Sequence, residues 1–226
     1  MDLLSIIISL FVLLFAITIH EAAHGWSAWK LGDPTAYALG RVTLNPVAHI
    51  DLFGTVILPF LLVLFHAPVF GWAKPVPVNA LNLKNPRRDN MWISLAGPAS
   101  NFSVAALSLL LLISLKLVHP GTTQFLRSFI LQGQRFPAGF YPLEGFSLIL
   151  FYGILINTYL GVFNMIPIPP LDGSGVLSGL LSERAAERFN LIRPFGLIII
   201  LVLISVGFLE LIVRPIQIVI LTLVFF

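Results

Sequence analysis

The sequence predicts an all-α membrane protein: a polytopic helical bundle with one re-entrant hairpin and short β elements near its functional site. Three observations carry that reading. Of 226 residues, 58% are hydrophobic and only 10% are charged, with a mean hydropathy of +0.96. That leaves too little polar surface to face water, so the bilayer is the natural solvent. Apolar runs long enough to cross a hydrocarbon layer of about 30 Å recur along the chain. Basic residues gather in the short connections between them, as expected of cytoplasmic loops. The length suits a single membrane-embedded unit over 1–226, with no polar linker, repeat or low-complexity tract to mark a second.

The same numbers exclude some function classes. A net charge of +3, spread over inter-helix segments, fits membrane topology better than a nucleic-acid surface. The chain has no cysteine, so disulfides, thiolate metal ligands and cysteine nucleophiles are all excluded.

The first apolar run, Leu3 to Ile19, lacks the basic start and small-residue cleavage site of a secretory signal. It reads as a retained spanning helix over about 3–28, stopped by Gly32-Asp33-Pro34. Ala36 to Asn45 reads as extended, with a turn at Leu39-Gly40-Arg41. Next comes an apolar run, 52–69, interrupted by Pro59 and Pro68. Lys30, Arg41, Lys74, Lys84, Arg87 and Arg88 lie on both of its flanks, which favours a re-entrant hairpin over a full crossing. In Gly71 to Asn79, Pro75 and Pro77 remove the N–H donors from one side of a strand while Val76 and Val78 can pair on the other. That pattern predicts an edge strand. Three further spans are expected over 92–117, 146–166 and 195–213, followed by a short apolar segment, 216–226. Arg184, Arg188 and Arg193 fall between the last two spans, consistent with a cytoplasmic loop.

The chemistry begins at His20-Glu21-Ala22-Ala23-His24. Histidines four apart share one helix face, one turn apart, so both imidazoles can reach one metal ion with Glu21 alongside. Counting back from Lys30 at 1.5 Å per residue puts His24 about 9 Å and His20 about 15 Å below the cytoplasmic boundary. Ionisable groups at that depth are costly without a function. The bland alternative is a structural polar cluster between helices. Two histidines do not complete a zinc site, and a third protein ligand is expected. A soluble-type third histidine is ruled out because that position is Lys30. A di-iron carboxylate site is ruled out because only Glu21 and His24 form a Glu-x-x-His unit. Asp172, His49 and Asp51 remain as candidates. Asp172 follows three prolines that must break the helix before it, but an aspartate there is equally at home as the N-cap of the segment Ser174 to Leu181.

Three motifs, taken in order, resemble the site-2 protease family of intramembrane zinc metalloproteases. They are His20-Glu21-Ala22-Ala23-His24, Gly97-Pro98-Ala99-Ser100-Asn101, and Asn164 through Pro167 to Leu171-Asp172-Gly173. The resemblance spans the helical core to about Leu181 and is closest to a compact subgroup without PDZ or nucleotide-sensing modules. It implies one Zn2+ per chain held by His20, His24 and Asp172, and it implies Glu21 as the catalytic acid/base. It further implies that Asn101 and Asn164 hold the substrate backbone or the developing oxyanion. Read from the residues alone, Asn101 fits a bond to a neighbouring helix better. His49 and Asp51 lie at the hairpin mouth as supporting or interfacial residues, and His66 and His119 read as interface residues. The expected reaction is hydrolysis of peptide bonds in or near the transmembrane segments of other proteins, by a zinc-activated water whose proton Glu21 takes. An edge strand at Pro75 to Asn79 could hold an unwound substrate by strand addition. The expected location is the cell membrane, multi-pass, with the site toward the cytoplasm. Two other classes use the same ligands: a membrane metal carrier or sensor, in which Glu21 is dispensable, and an inactive relative that only captures membrane segments.

Overall fold

A computed structural model describes residues 3–65, 71–133, 136 and 141–225. The expected hairpin residues 66–69, with His66, and the final residue of the 216–226 segment lie outside the described residues.

Helix α1 (Leu3–Lys30) runs 28 residues and carries Lys30 in its last turn, where a cation meets the negative end of the helix dipole. Helix α4 (Pro86–Val118) starts six residues earlier than the hydropathy suggests. Pro86 occupies its first turn, and the Asp89 carboxylate accepts the Asn85 N–H at 2.8 Å, so a charged first turn is stabilised as helix. Pro98 sits inside α4 without ending it, as neighbouring helices allow in a membrane bundle. Helix α6 (Pro142–Asn164) also opens on a proline and stops just before Ile166-Pro167, because the residue preceding a proline leaves the α region.

Helix α4 is the hub, packed against α1, α6 and α7 (Asp172–Leu180). In lipid no hydrophobic force drives helices together, so small residues and buried polar side chains do the work. Gly175 and Gly179 of α7 face Ser94 and Met91 of α4 so closely that a Cβ at either would overlap them. The backbone of α7 therefore packs directly on the side chains of α4. Gly153 of α6 likewise admits Ser108 of α4. The largest apolar cluster, including Ile8, Val12, Leu112, Leu148 and Val224, occupies the end of the bundle away from Lys30. The large apolar side chains that remain exposed on α1, α4 and the C-terminal helix α10 (Phe208–Phe225) face outward, as lipid-facing surfaces do.

Two expectations are corrected. No strand is formed among the described residues. Residues 36–45 contain a short helix, α2 (Thr35–Ala38), and a turn at Gly40, whose φ of 67° suits a residue without a Cβ. The 71–79 segment forms neither helix nor strand, and its hydrogen-bond partners are not strands either. The Trp72 N–H donates to Gly54 O at 3.2 Å and the Lys74 N–H to His49 O at 2.9 Å. Both acceptors lie in or beside helical turns, so no ladder forms. Secondly, the fourth helix does not end near 213. Helix α9 (Gly196–Ser205) stops at Gly207, which adopts a φ of 73°, and α10 (Phe208–Phe225) runs through Pro215. A left-handed glycine ends a helix more decisively than a proline that membrane packing tolerates.

In the 52–69 run the described part is a π-type turn over Leu52–Ile57 followed by helix α3 (Leu58–Leu64). Together these 13 residues rise about 20 Å, short of a full hydrocarbon crossing. Helix α5 (Gly121–Leu126) packs on α6 and α4, and α8 (Glu183–Asn190) packs on α7.

Candidate metal centre

The i, i+4 spacing of α1 places His20 and His24 on the face turned to α4. They are 5% and 9% exposed, and their Nε2 atoms are 3.1 Å apart. Each ring is fixed by its other nitrogen. His24 Nδ1 lies 2.6 Å from Ile93 O, a carbonyl that can only accept, so Nδ1 carries the proton. His20 Nδ1 lies 2.6 Å from Asn101 Oδ1. The Asn101 amide is oriented in turn by donating Nδ2 to Ala16 O at 3.2 Å and to Asn157 Oδ1 at 2.9 Å. Asn157 donates its own Nδ2 to Gly153 O. In the neutral imidazoles both Nε2 lone pairs therefore point into one space.

Asp172 completes that space. The proline-rich stretch after α6 ends at Leu171, and α7 begins at Asp172. Gly173 packs on the Met165 carbonyl where no side chain would fit. The Asp172 carboxylate makes no capping bond, so the N-cap alternative is set aside. Its Oδ2 lies 3.0 Å from His20 Nε2 and its Oδ1 3.3 Å from His24 Nε2. Oδ2 is nevertheless buried without a hydrogen-bond partner, because a lone pair on Nε2 donates nothing. Three electron-rich atoms facing one another repel unless a cation sits among them. Tetrahedral zinc with ligand bonds near 2.0–2.1 Å separates its ligand atoms by about 3.3 Å, and these separations of 3.0–3.3 Å match it. Gly97 of α4 makes the room: a Cβ there would lie 2.6 Å from His24 Cε1 and 2.7 Å from His20 Cε1. The donor set therefore fits a zinc ion.

Glu21 is half-buried beside the trio, and its Oε2 accepts the Val76 N–H at 3.1 Å. Val76 also packs on Gly25, one turn further along α1. The N–H groups of Trp72, Lys74 and Val76 thus all point inward, to Gly54 O, His49 O and Glu21. Buried Arg41 clamps the same side by donating to Lys74 O at 2.6 Å. The even-numbered side expected to meet substrate is therefore engaged by the protein itself at 72, 74 and 76. The base of this segment is held by Asp33, whose carboxylate accepts Thr35 N–H and Oγ1–H, Asn79 N–H and Asn82 Nδ2–H. Burial pushes the Asp33 carboxyl up, but these four donors outweigh it and hold its pKa below the ordinary value.

The other candidates fall elsewhere. The His49 ring is buried and donates Nε2–H to Thr43 O. Asp51 Oδ1 accepts Gly54 N–H at the start of the π-type turn. Neither joins the His20, His24 and Asp172 group, the only cluster of possible metal ligands among the described residues. Asn164 donates one amide hydrogen to Leu160 O. The sequence reading missed Asn157, Gly97's contact with the rings and the Val76 amide. Only Asn157 left a signal: a lone amide within an apolar span.

The chain's similarities are to a peptidase family and to proteins named as zinc metalloproteases. The family model described as Peptidase family M50 matches residues 8–203. The chain is 36% identical over 191 residues to the Bacillus subtilis (strain 168) protein named "Putative zinc metalloprotease YwhC", covering 84% of this chain and 77% of that one. It is 29% identical over 193 residues to the Rip2 protein of Mycolicibacterium smegmatis, and 27% over 194 residues to Rip2 of Mycobacterium tuberculosis (strain H37Rv). Both bear the same zinc-metalloprotease description, and the matches cover 84% of this chain and 63% of each relative. No solved structure matches the chain. Among the described residues four helical stretches, the fourth being Glu183–Ser205, are long and apolar enough to cross a membrane, and with the family match over most of its length, this chain belongs to peptidase family M50, the site-2 protease family of membrane-embedded zinc metalloproteases.

Proposed function

We propose that this protein hydrolyses peptide bonds in or near the transmembrane segments of other membrane proteins, using one zinc ion held by His20, His24 and Asp172. The convergence of His20 Nε2, His24 Nε2 and the Asp172 carboxylate within 3.0–3.3 Å of one another supports this reading most directly. Zinc in such a site supplies Lewis acidity, acidifying a water and polarising a carbonyl.

The chain's own residues do the rest. Glu21 takes a proton at Oε1 and returns it to the leaving amide nitrogen, while the Val76 N–H holds Oε2 and fixes the carboxylate plane. Asn101 spends its whole amide on His20, Ala16 and Asn157, so it acts as a positioning residue through His20 rather than as an oxyanion donor. Asn164 keeps its Oδ1 and one N–H for the substrate backbone. The site opens toward the cytoplasmic face of the cell membrane, where Lys30 and the flanking basic loops lie.

The test is a cleavage assay on a single-span substrate in reconstituted membranes, with metal analysis of the same samples. Wild type should cut and hold one zinc per chain. Glu21→Gln should hold zinc and not cut. If Glu21→Gln retains full function, the protein is a metal carrier or sensor instead.

A further inference from the structure

Asn157 is buried within α6, 2% exposed, where an amide among apolar neighbours must find partners. Glycines one turn to either side bring it to α4. A Cβ on Gly153 would overlap Ser108, and one on Gly161 would overlap Phe102, both side chains of α4. The backbone of α6 therefore lies close enough to α4 for a short side chain to reach across. There Asn157 meets Asn101, itself wholly buried, at 2.9 Å.

The hydrogen bonds at this contact can run in one direction only. Gly153 O, 2.9 Å from the Asn157 amide, is a carbonyl and can only accept, so the Asn157 atom beside it is Nδ2. Asn157 Oδ1 is thereby turned to Asn101, which answers with its own Nδ2. The second hydrogen of that nitrogen goes to Ala16 O at 3.2 Å. Asn101 Oδ1 is left for His20 Nδ1, which must carry the proton, and the Nε2 lone pair is left for a cation. Turned over, the Asn101 amide would offer a donor to Nδ1 and put the ring proton on Nε2, where a metal ligand needs a lone pair.

We propose that Asn157 is a positioning residue for the metal centre, acting from α6 through the Asn101 amide to fix the tautomer and orientation of His20. The inference rests on the zinc reading above and adds a third helix to it. α1 supplies the ring, α4 the amide that orients it, and α6 the group that orients the amide. An asparagine between membrane helices can also serve as glue alone. That role would lower the melting temperature and leave zinc affinity as it is.

The test is a double-mutant cycle in zinc affinity, measured by competition with a chelator in detergent micelles. Asn157→Ser is the informative change. A serine there can bond the carbonyl four residues back, as Thr18, Ser103 and Ser114 do in this chain, so only the link to Asn101 is lost. Ala16 O still holds one amide hydrogen, so affinity should fall by about tenfold, the lower end of the range for groups that orient metal ligands. Asn157→Leu, which removes both polar atoms, should lower it at least as far. On an Asn101→Ala background either change should lower affinity no further, because coupled groups are not additive. Unchanged zinc affinity in both Asn157 variants, or an equal loss on the two backgrounds, would overturn the proposal while leaving the zinc reading intact. A wild type that binds no zinc would overturn both.

Discussion

Replacing Gly97 with alanine probes the metal centre at its tightest point. The added methyl would sit 2.6 Å from His24 Cε1 and 2.7 Å from His20 Cε1, against a comfortable carbon contact of about 3.5 Å. One or both rings must therefore retreat by roughly 0.8–0.9 Å. Metal–ligand distances tolerate about 0.2 Å, so the rings cannot retreat and still bind as before. Overpacking of this kind costs about 1–3 kcal/mol, which corresponds to a loss in zinc affinity of about 5- to 140-fold at 1.4 kcal/mol per decade. The assay is a competitive zinc titration against a chelator of known affinity, followed by cleavage at saturating zinc. Gly145→Ala on α6 is the control, because a Cβ there meets nothing within 4 Å and should leave zinc affinity unchanged. Wild-type affinity and cleavage in Gly97→Ala would refute the proposed ligand pair.

The remaining predictions test the supporting groups. Asn101→Ala removes the acceptor that fixes the His20 ring, and zinc affinity should fall about 10- to 100-fold, read by the same titration. Val76→Pro removes the N–H that holds Glu21; kcat should fall about 10- to 100-fold at unchanged zinc content, and normal turnover would sink that role. Asp33 supplies a pH signature. Its folded pKa lies below its ordinary 3.8, so its contribution to stability is fully present above that value and is lost as pH falls through the folded pKa. Thermal melts in detergent micelles should show wild type losing stability in that acidic window, while Asp33→Asn, less stable throughout, should lose the less of the two.

The first three long apolar helices and the pairing of His20 with His24 were legible in the sequence because their signals are local. Long apolar runs report the bilayer and four-residue spacing reports a shared helix face, whereas the three prolines before Asp172 report only a break, and its part as a ligand was implied by the family resemblance alone. What stayed hidden depends on packing between helices. Ile93 matters through a carbonyl, and Gly97 matters through the side chain it lacks. Asn157 reaches the site only through Asn101. The 71–79 segment shows the limit well: alternating prolines predicted an edge strand, yet no strand forms among the described residues, and the N–H groups of Trp72, Lys74 and Val76 are turned inward to Gly54, His49 and Glu21. At the C-terminal helices two breakers eight residues apart competed. Gly207 stops α9 while Pro215 is absorbed within α10, an outcome set by what lies beside each residue.

The proposed ligand atoms come from opposite reaches of the chain, with Asp172 standing 148 positions after His24. A cation gripped by all three would act as a removable crosslink, fastening the start of α7 to the middle of α1 across a very long loop. Loop-closure entropy rises only slowly with length, so even this span is fastened at modest extra cost, and metal binding becomes folding free energy. Chelation should then loosen α7 from its glycine seat on α4 while leaving the contacts of α1, α4 and α6 in place. Metal supply would thereby govern the lifetime of the protein as well as its chemistry.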